Sequence, residues 1–317
     1  MSRPPGPGDV ETSTGPPDLD LRVIVVTYSP GEHLATFLDS LVLATAGSYE
    51  VVLADNGSTD GAPEKAVADH DNVTLVHTGG NLGYGGAANV GARGATTSWL
   101  LVANPDVIWD VGALDELLAA AERWPRAATL GPGIRTPTNE LYPSARGFPS
   151  LGRGIAHALL GWVWPSNPWT ASYRRERGAA EERAIDGWLS GSCLLLRREA
   201  FTSVGGFDES YFMYFEDTDL CERLLRAGWQ NVYVPSAQVT HEGGHATETG
   251  RGRSAVMLRA HHRSAYRYLA RKYSGRRWAL VRVALAAGLL ARYAVARLVP
   301  QIGAGAKPTR SADALPG

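Results

Sequence analysis

"LRVIVVTYSP", residues 21–30, runs an unbroken apolar, β-branched segment into a polar stop. Such a run reads as a strand buried on both faces, the kind found in parallel sheets. "YEVVLADNGSTDG", residues 49–61, repeats the design, and "EHLATFLDSLVLA" between them, residues 32–44, carries helical periodicity. Strand, helix and strand at this spacing make a βαβ unit. Two more strands, "VTLVHT" (73–78) and "SWLLVANPDV" (98–107), flank a glycine-rich segment. "GALDELLAAAERW" (112–124) reads as a helix and "ATLGPGI" (128–134) as a strand. "GWLSGSCLLLRREAFTSVGGF" (187–207) reads as a strand leading into a short helix, and "VYVPSAQVTHEGG" (232–244) holds the last clear strand. The expected class is α/β, a mostly parallel central sheet flanked by helices.

With 317 residues, 44% of them hydrophobic, the chain has material for a large core. Thirty-one basic against 32 acidic side chains give a formal charge of -1, so no global field recruits nucleic acid. Cys193 and Cys221 lie in apolar surroundings without metal-like spacing, which favours reduced core residues and a cytoplasmic setting. Residues 1–20, rich in Pro, Gly, Ser and Thr, read as a disordered leader, and 301–317 as a disordered tail. Between 136 and 186 the pattern dissolves into Pro, Gly, Trp and Arg, with a short helix suggested near "GIAHALLGWVW"; long segments of this kind often bind substrate. Residues 246–300 read as a C-terminal helical extension. Its second helix is too interrupted by Arg282, Arg292 and Arg297 to span a membrane. Arg271, Lys272, Arg276 and Arg277, with Tyr273 and Trp278, suit residues 271–299 either to an anionic lipid surface or to a solvated basic face. A homo-oligomer is left open.

In parallel sheets, ligands bind beyond the carboxyl ends of strands. That rule singles out Thr27-Tyr28, Asp55-Asn56-Gly57, Asn81 to Asn89, and Asn104-Pro105-Asp106. Asp55 could accept from a nucleobase imide N–H, although Asp-Asn-Gly is also a common turn. The glycines of "GGNLGYGGAANVGA" (79–92) permit close backbone approach, and Asn81 and Asn89 offer amides near a helix start suited to phosphate. Asp106 could hold a divalent ion against a diphosphate, with His241 as a second ligand.

"YFMYFEDTDLCERLLRAGW" (211–229) crowds Glu216, Asp217, Asp219 and Glu222 behind four aromatic rings. Acidic residues favour helix starts, and in one reading Asp219 is the cap and Glu222 answers it three positions on. Glu216 and Asp217 then precede the helix, where the rings of Phe212, Tyr214 and Phe215 would partly dehydrate them.

Together "VIVVTYSP", "ADNGSTDG", "NLGYGGAANVG", "ANPDV" and "WLSGSCLLLRREAFTSVGGFDESYFMYFEDTDLCERLLRAGW" resemble the inverting family 2 glycosyltransferases of the GT-A fold, over residues 21–245. Within that family the chain looks most like bacterial rhamnosyltransferases that extend polyprenyl-diphosphate-linked GlcNAc in cell-wall or surface polysaccharide assembly. The resemblance implies a nucleotide-diphosphate-sugar donor, dTDP-rhamnose by this likeness, a lipid-linked saccharide acceptor, and Mg²⁺ or Mn²⁺. By motif, Thr27, Tyr28, Asp55, Asn56, Gly57, Asn81, Gly83, Asn89, Asn104 and Asp106 would line the donor site. Asp106 and His241 would bind the metal. Trp188, Ser190, Gly191, Phe212 and Tyr214 would border the acceptor, and Asp217, beside Glu216, would be the base. Where many relatives have Asp-x-Asp, this chain has Asn104-Pro105-Asp106, which leaves one carboxylate for the ion.

Two other classes compete with that expectation. A nucleotidyltransferase would place a basic loop after the first strand, and "VVTYSPGEH" has no Lys or Arg there. A non-catalytic sugar-binding protein would have no need of Asp106, Asp217 and His241 together.

Overall fold

The computed structural model describes residues 18–150, 181–243 and 251–298. The suggested helix near 154–164, residues 1–17 of the leader and the tail beyond 300 lie outside them, while residues 18–20, read from sequence as leader, belong to the first strand. The chain divides into two compact units, Met1–His245 and Ala246–Gly317.

In the first unit β1 (Asp18–Thr27), α1 (His33–Ala44) and β2 (Ser48–Asp55) form the opening βαβ. They are followed by α2 (Ala62–Asp69), β3 (Val73–His77), α3 (Gly83–Ala92), β4 (Trp99–Ala103), β5 (Val107–Trp109), α4 (Ala113–Arg123) and β6 (Ala127–Arg135). β7 (Leu141–Tyr142), β8 (Ala145–Gly147), β9 (Arg183–Ile185) and β10 (Gly187–Leu189) are short. The unit closes with β11 (Cys193–Arg197), α5 (Arg198–Ser203), α6 (Glu216–Arg226) and β12 (Gln230–His241).

The main sheet runs β3-β2-β1-β4-β11-β6-β12-β5. β1 pairs in parallel with β2 and β4, as do β2 with β3 and β6 with β12. β11 inserts antiparallel between β4 and β6, so its first residues lie beside the last residues of β4. That reversal brings Ser190-Gly191-Ser192 to the edge where the parallel strands end, and Asn104 N donates to Ser192 O at 2.9 Å.

Alternation along β1 assigns the helices to faces. Val23 and Val25 pack with Leu34, Phe37 and Leu41 of α1 and Leu114 and Leu117 of α4. Ile24 and Val26 point the other way, toward Ala87 and Ala88 of α3, Phe201 of α5 and Leu220 and Leu224 of α6. Burying each large apolar side chain contributes about 1.5–3 kcal/mol, so both faces must be covered. α3 lies close to the sheet because of its small residues: a Cβ on Gly91 would stand 2.5 Å from Ile24 Cγ2. In the core, Asn231 donates to Gly187 O and Cys221 O and accepts from Thr129 Oγ1, tying β12 to β10, α6 and β6.

Two sequence expectations are corrected. Residues 136–186 are not uniformly irregular: β7, β8 and β9 lie within that range, β7 in a hairpin with β6, and β8 and β9 paired with the distant strands β10 and β12. Strands of two or three residues are too short to show a period. The helix of the acidic segment begins at Glu216 rather than Asp219, after Tyr214 and Phe215 at φ +66° and +70°. Asp219 therefore lies inside α6, paired to Arg223 at 2.6 Å, and Glu222 pairs with Arg226 at 2.8 Å. Neither caps the helix, because the chain turns at Phe215, four residues before Asp219, through a left-handed conformation that aromatic residues rarely adopt.

In the second unit, α7 (Arg251–Lys272) is followed by a 3₁₀ turn (Arg276–Trp278) and α8 (Ala279–Leu298). The ring of His262 on α7 meets Tyr293 on α8, and Arg282 donates to Tyr273 O and Gly275 O. Among the described residues no helix is long and apolar enough to cross a membrane. Leu280, Val283 and Leu290 of α8 are 85%, 66% and 67% exposed, at a spacing that puts them on one stripe.

Candidate active site

The strand ends after β1 and β2 are joined by Asp55. Its carboxylate accepts from Thr27 Oγ1 (2.9 Å), Gly57 N (3.2 Å), Ser58 N (3.1 Å) and the Ser58 hydroxyl, with His77 Nδ1 at 3.4 Å. Burial pushes this carboxyl up, but the Ser58 and Thr27 hydroxyls and the two turn N–H groups outweigh it and hold it below its usual value. In this state the carboxylate serves the turn, rather than standing open to a nucleobase. Asn56 is likewise committed, donating to Gly83 O and accepting from Leu82 N and Thr78 Oγ1.

The glycine-rich segment also differs from the phosphate cradle expected of it. Gly83 N is taken by Asn81 Oδ1 at 3.0 Å and Tyr84 N by Phe212 O at 3.1 Å, so the first N–H groups of α3 already have acceptors. Asn89 spends its amide on Phe207 N, Phe207 O and Glu209 Oε1, pinning the loop ahead of the aromatic run. Gly83 adopts φ +79° and a Cβ there would stand 2.0 Å from Phe212 O. Of the proposed donor residues, Tyr28, Gly57 and Asn81 present exposed surface at these strand ends.

At the end of β4, Asp106 Oδ1 lies 3.1 Å from His241 Nε2, and Asn104 Nδ2 lies 3.3 Å from the same nitrogen. Burial raises the Asp106 carboxyl, yet the contact and charge of His241 bring it below its usual value. Apart from that imidazole contact, Asp106 Oδ1 is buried without a hydrogen bond. A buried carboxylate oxygen with a single imidazole nitrogen beside it would suit a divalent ion whose remaining ligands would be diphosphate and water. Among the described residues no cluster of three His, Cys, Asp or Glu forms a fuller cage.

The Ser190-Gly191-Ser192 turn links the Asp106–His241 strand ends to the acidic helix. Gly191 N donates to Asp217 Oδ2 at 2.9 Å, and Thr218 N to Asp217 Oδ1 at 2.6 Å. The Tyr84 hydroxyl donates to Gly191 O. Burial, then negative charge at Glu216, Asp217 and Asp106 among others, holds the Tyr84 phenol well above its usual range. Glu216 is more enclosed than Asp217, and its Oε2 has no hydrogen-bond partner. Burial first, then the Asp217 charge, pushes Glu216 up to about 8. Burial raises Asp217 too, partly offset by the Gly191 and Thr218 donors and the Arg146 charge. Two adjacent carboxyls thus share a site in which one holds its proton near neutrality.

A model for glycosyl transferase family 2 matches residues 22–205, and one for glycosyl transferase family group 2 matches 180–309. The chain belongs to glycosyl transferase family 2. It is 56% identical over 267 residues to the N-acetylglucosaminyl-diphospho-decaprenol L-rhamnosyltransferase of Mycobacterium tuberculosis, covering 80% of this chain and 85% of that protein. It is 30% identical over 258 residues to rhamnosyltransferase WbbL of Escherichia coli, covering 79% and 92%. Among solved structures, the mannosyltransferase PcManGT from Pyrobaculum calidifontis, in complex with GDP-Man and Mn²⁺, matches with a TM-score of 0.53 and 20% identity, over 93% of this chain and 79% of that one. The fold is GT-A, and the chain is a glycosyltransferase, which sets aside the nucleotidyltransferase and non-catalytic readings.

Of the residues named from sequence, the structure gathers Asp106, His241, Asn104, Ser190, Gly191, Glu216 and Asp217 at one edge. Trp188 and Phe212 lie on the elements that approach it. Tyr84 and Arg146 escaped the sequence reading. Tyr84 stands out as a ring among glycines, a signal that was available. Arg146 lies in a segment without periodicity, where nothing marks it.

Proposed function

We propose that this glycosyltransferase moves L-rhamnose from dTDP-rhamnose onto a hydroxyl of GlcNAc carried on a polyprenyl diphosphate, with inversion at the transferred carbon. The likeness to the mycobacterial enzyme supports the choice of donor and acceptor. The structural observation that carries the mechanism is the Ser190-Gly191-Ser192 turn, which holds the base candidate Asp217 on one side and the Asn104–Asp106 strand end on the other. A nucleophile at Asp217 and a leaving diphosphate near Asp106 then flank the same space.

Asp217, ionised, accepts the proton of the attacking hydroxyl as its oxygen bonds to the anomeric carbon. The two N–H donors fix its orientation, and Glu216 keeps its own proton and so adds no second charge. Asp106 and His241 would hold Mg²⁺ or Mn²⁺, which when bound neutralises charge developing on the departing nucleoside diphosphate. Trp188, Ser190, Gly191, Phe212 and Tyr214 border the acceptor; Thr27, Tyr28, Asp55, Asn56, Gly57, Asn81, Gly83 and Asn89 build the donor side, several of them by fixing its loops.

The enzyme works peripherally on the inner face of the plasma membrane. The apolar stripe of α8 and the basic cluster Arg271, Lys272, Arg276 and Arg277 support contact with an anionic lipid surface.

Incubating the purified chain with radiolabelled dTDP-rhamnose and a short polyprenyl-diphosphate GlcNAc tests the assignment. A rhamnosylated lipid with inverted anomeric configuration is the expected product. Transfer of a different sugar in preference, or retention of configuration, overturns it.

A further inference from the structure

We propose that Arg146, stacked over Tyr142 and Trp188, is the subsite for the diphosphate of the lipid-linked acceptor. The inference rests on the acceptor assigned above and adds the group that recognises its charged part.

Arg146 lies in β8, opposite Trp188 of β10 in an antiparallel pair. The two strands approach closely enough that a Cβ on Gly187 would meet Arg146 O at 2.1 Å. The guanidinium carbon lies 5.0 Å from the Tyr142 ring centre and 5.4 Å from that of Trp188, within cation–π range. Nε is spent on Pro143 O at 2.6 Å. The two terminal nitrogens have no hydrogen-bond or ion-pair partner among the described residues. Nor has the Trp188 indole N–H, which is buried. The buried indole N–H is costly to leave without an acceptor, and the terminal guanidinium nitrogens, open to solvent, are free to meet an anion beside it.

Position indicates which anion. Arg146 pairs with Trp188, three residues before Gly191, whose N–H binds the Asp217 carboxylate. Tyr142 also lines a cavity of about 350 Å³ that reaches His241 and Glu242. The donor diphosphate belongs beside Asp106 and His241, so it does not explain Arg146. An acceptor sugar whose hydroxyl meets Asp217 carries a second diphosphate on its own anomeric carbon, one pyranose ring away. A planar guanidinium forked toward that group makes paired charge-assisted hydrogen bonds. Trp188 would supply both a sugar-stacking face and a third donor.

The test compares two acceptors, a short polyprenyl-diphosphate GlcNAc and an uncharged alkyl glycoside of GlcNAc, across wild type, Arg146→Gln, Arg146→Lys and Trp188→Phe in the full chain. For Arg146→Gln, the ratio of kcat/KM for the diphosphate acceptor over the glycoside should fall at least tenfold, through the acceptor KM. Inorganic pyrophosphate should lose potency as a competitor of acceptor by a similar factor. Arg146→Lys, which keeps a cation over the rings and protects against loss of folding, should recover part of the ratio. Equal loss with both acceptors, together with a shifted acid limb of the pH profile, would assign Arg146 to tuning Asp217 and overturn the subsite. Wild-type preference for the uncharged glycoside overturns the acceptor assignment itself, and the subsite with it.

Discussion

Gly191 donates its N–H to the Asp217 carboxylate at 2.9 Å, and a Cβ at Gly191 would come within 3.3 Å of the same oxygen. The base and the turn beneath it are therefore fitted to each other. Gly191→Ala should lower kcat by pushing Asp217 off its donors, with donor KM nearly unchanged. Steady-state kinetics in both substrates checks the split.

Asp217→Asn keeps size and hydrogen-bonding ability but cannot take a proton. Turnover should drop by about 10²–10⁴-fold, the usual contribution of a positioned base. Titration calorimetry with dTDP-rhamnose should still report binding, and an enzyme retaining near-normal turnover would remove Asp217 from the mechanism.

Glu216 carries a pH dependence whose sign is fixed by burial. Its folded value, about 8, stands above the usual carboxylate value, so the folded state binds the proton more tightly than the unfolded chain. The stability gained this way is present at low pH and lost as pH rises from the ordinary carboxylate range through about 8. Glu216→Gln should therefore melt higher than wild type at pH 8.5, by roughly 2 °C or more, and show little difference near pH 5. Calorimetric melting curves across that range decide it; a constant offset would mean that Glu216 is not held neutral.

Asp106→Ala should abolish the extra thermal stabilisation that Mn²⁺ gives with dTDP while leaving the melting point of the unliganded protein nearly unchanged. A ligand at about 100 times its Kd stabilises by about 2.7 kcal/mol, a readily measured shift. Persistence of the Mn²⁺ effect in the variant would move the ion elsewhere.

The left-handed Gly83 and its contact with Phe212 O leave no room for a side chain. Gly83→Ala should cost about 2 kcal/mol or more in urea unfolding, because both the backbone conformation and the space oppose it.

The sheet and its ligand edge were legible because buried parallel strands are written as continuous apolar runs, and each stops in polar residues at the functional end. Asn104-Pro105-Asp106 and His241 could be picked out for that reason. The roles of Asn56 and Asn89 were not legible, since a side-chain amide facing a ligand and one facing backbone carbonyls have the same sequence. The start of α6 was misplaced because acidic residues at 216, 217 and 219 are all compatible with a first turn. The left-handed pair Tyr214-Phe215 fixes that start, through a conformation imposed by packing. Arg146 was hidden because β8 and β10 stack by strand pairing across a sequence gap of about forty residues, which no local pattern encodes.

The antiparallel insertion of β11 makes one ladder the seam between two parts of the first unit. In the function proposed above, segments before β5 build the donor side and Ser190, Gly191, Phe212 and Tyr214, beyond β6, border the acceptor, with the β4–β11 ladder as the joint between them. A slip in the five paired positions of that ladder would part the Ser190-Gly191-Ser192 turn from Asn104, and with it the two substrates.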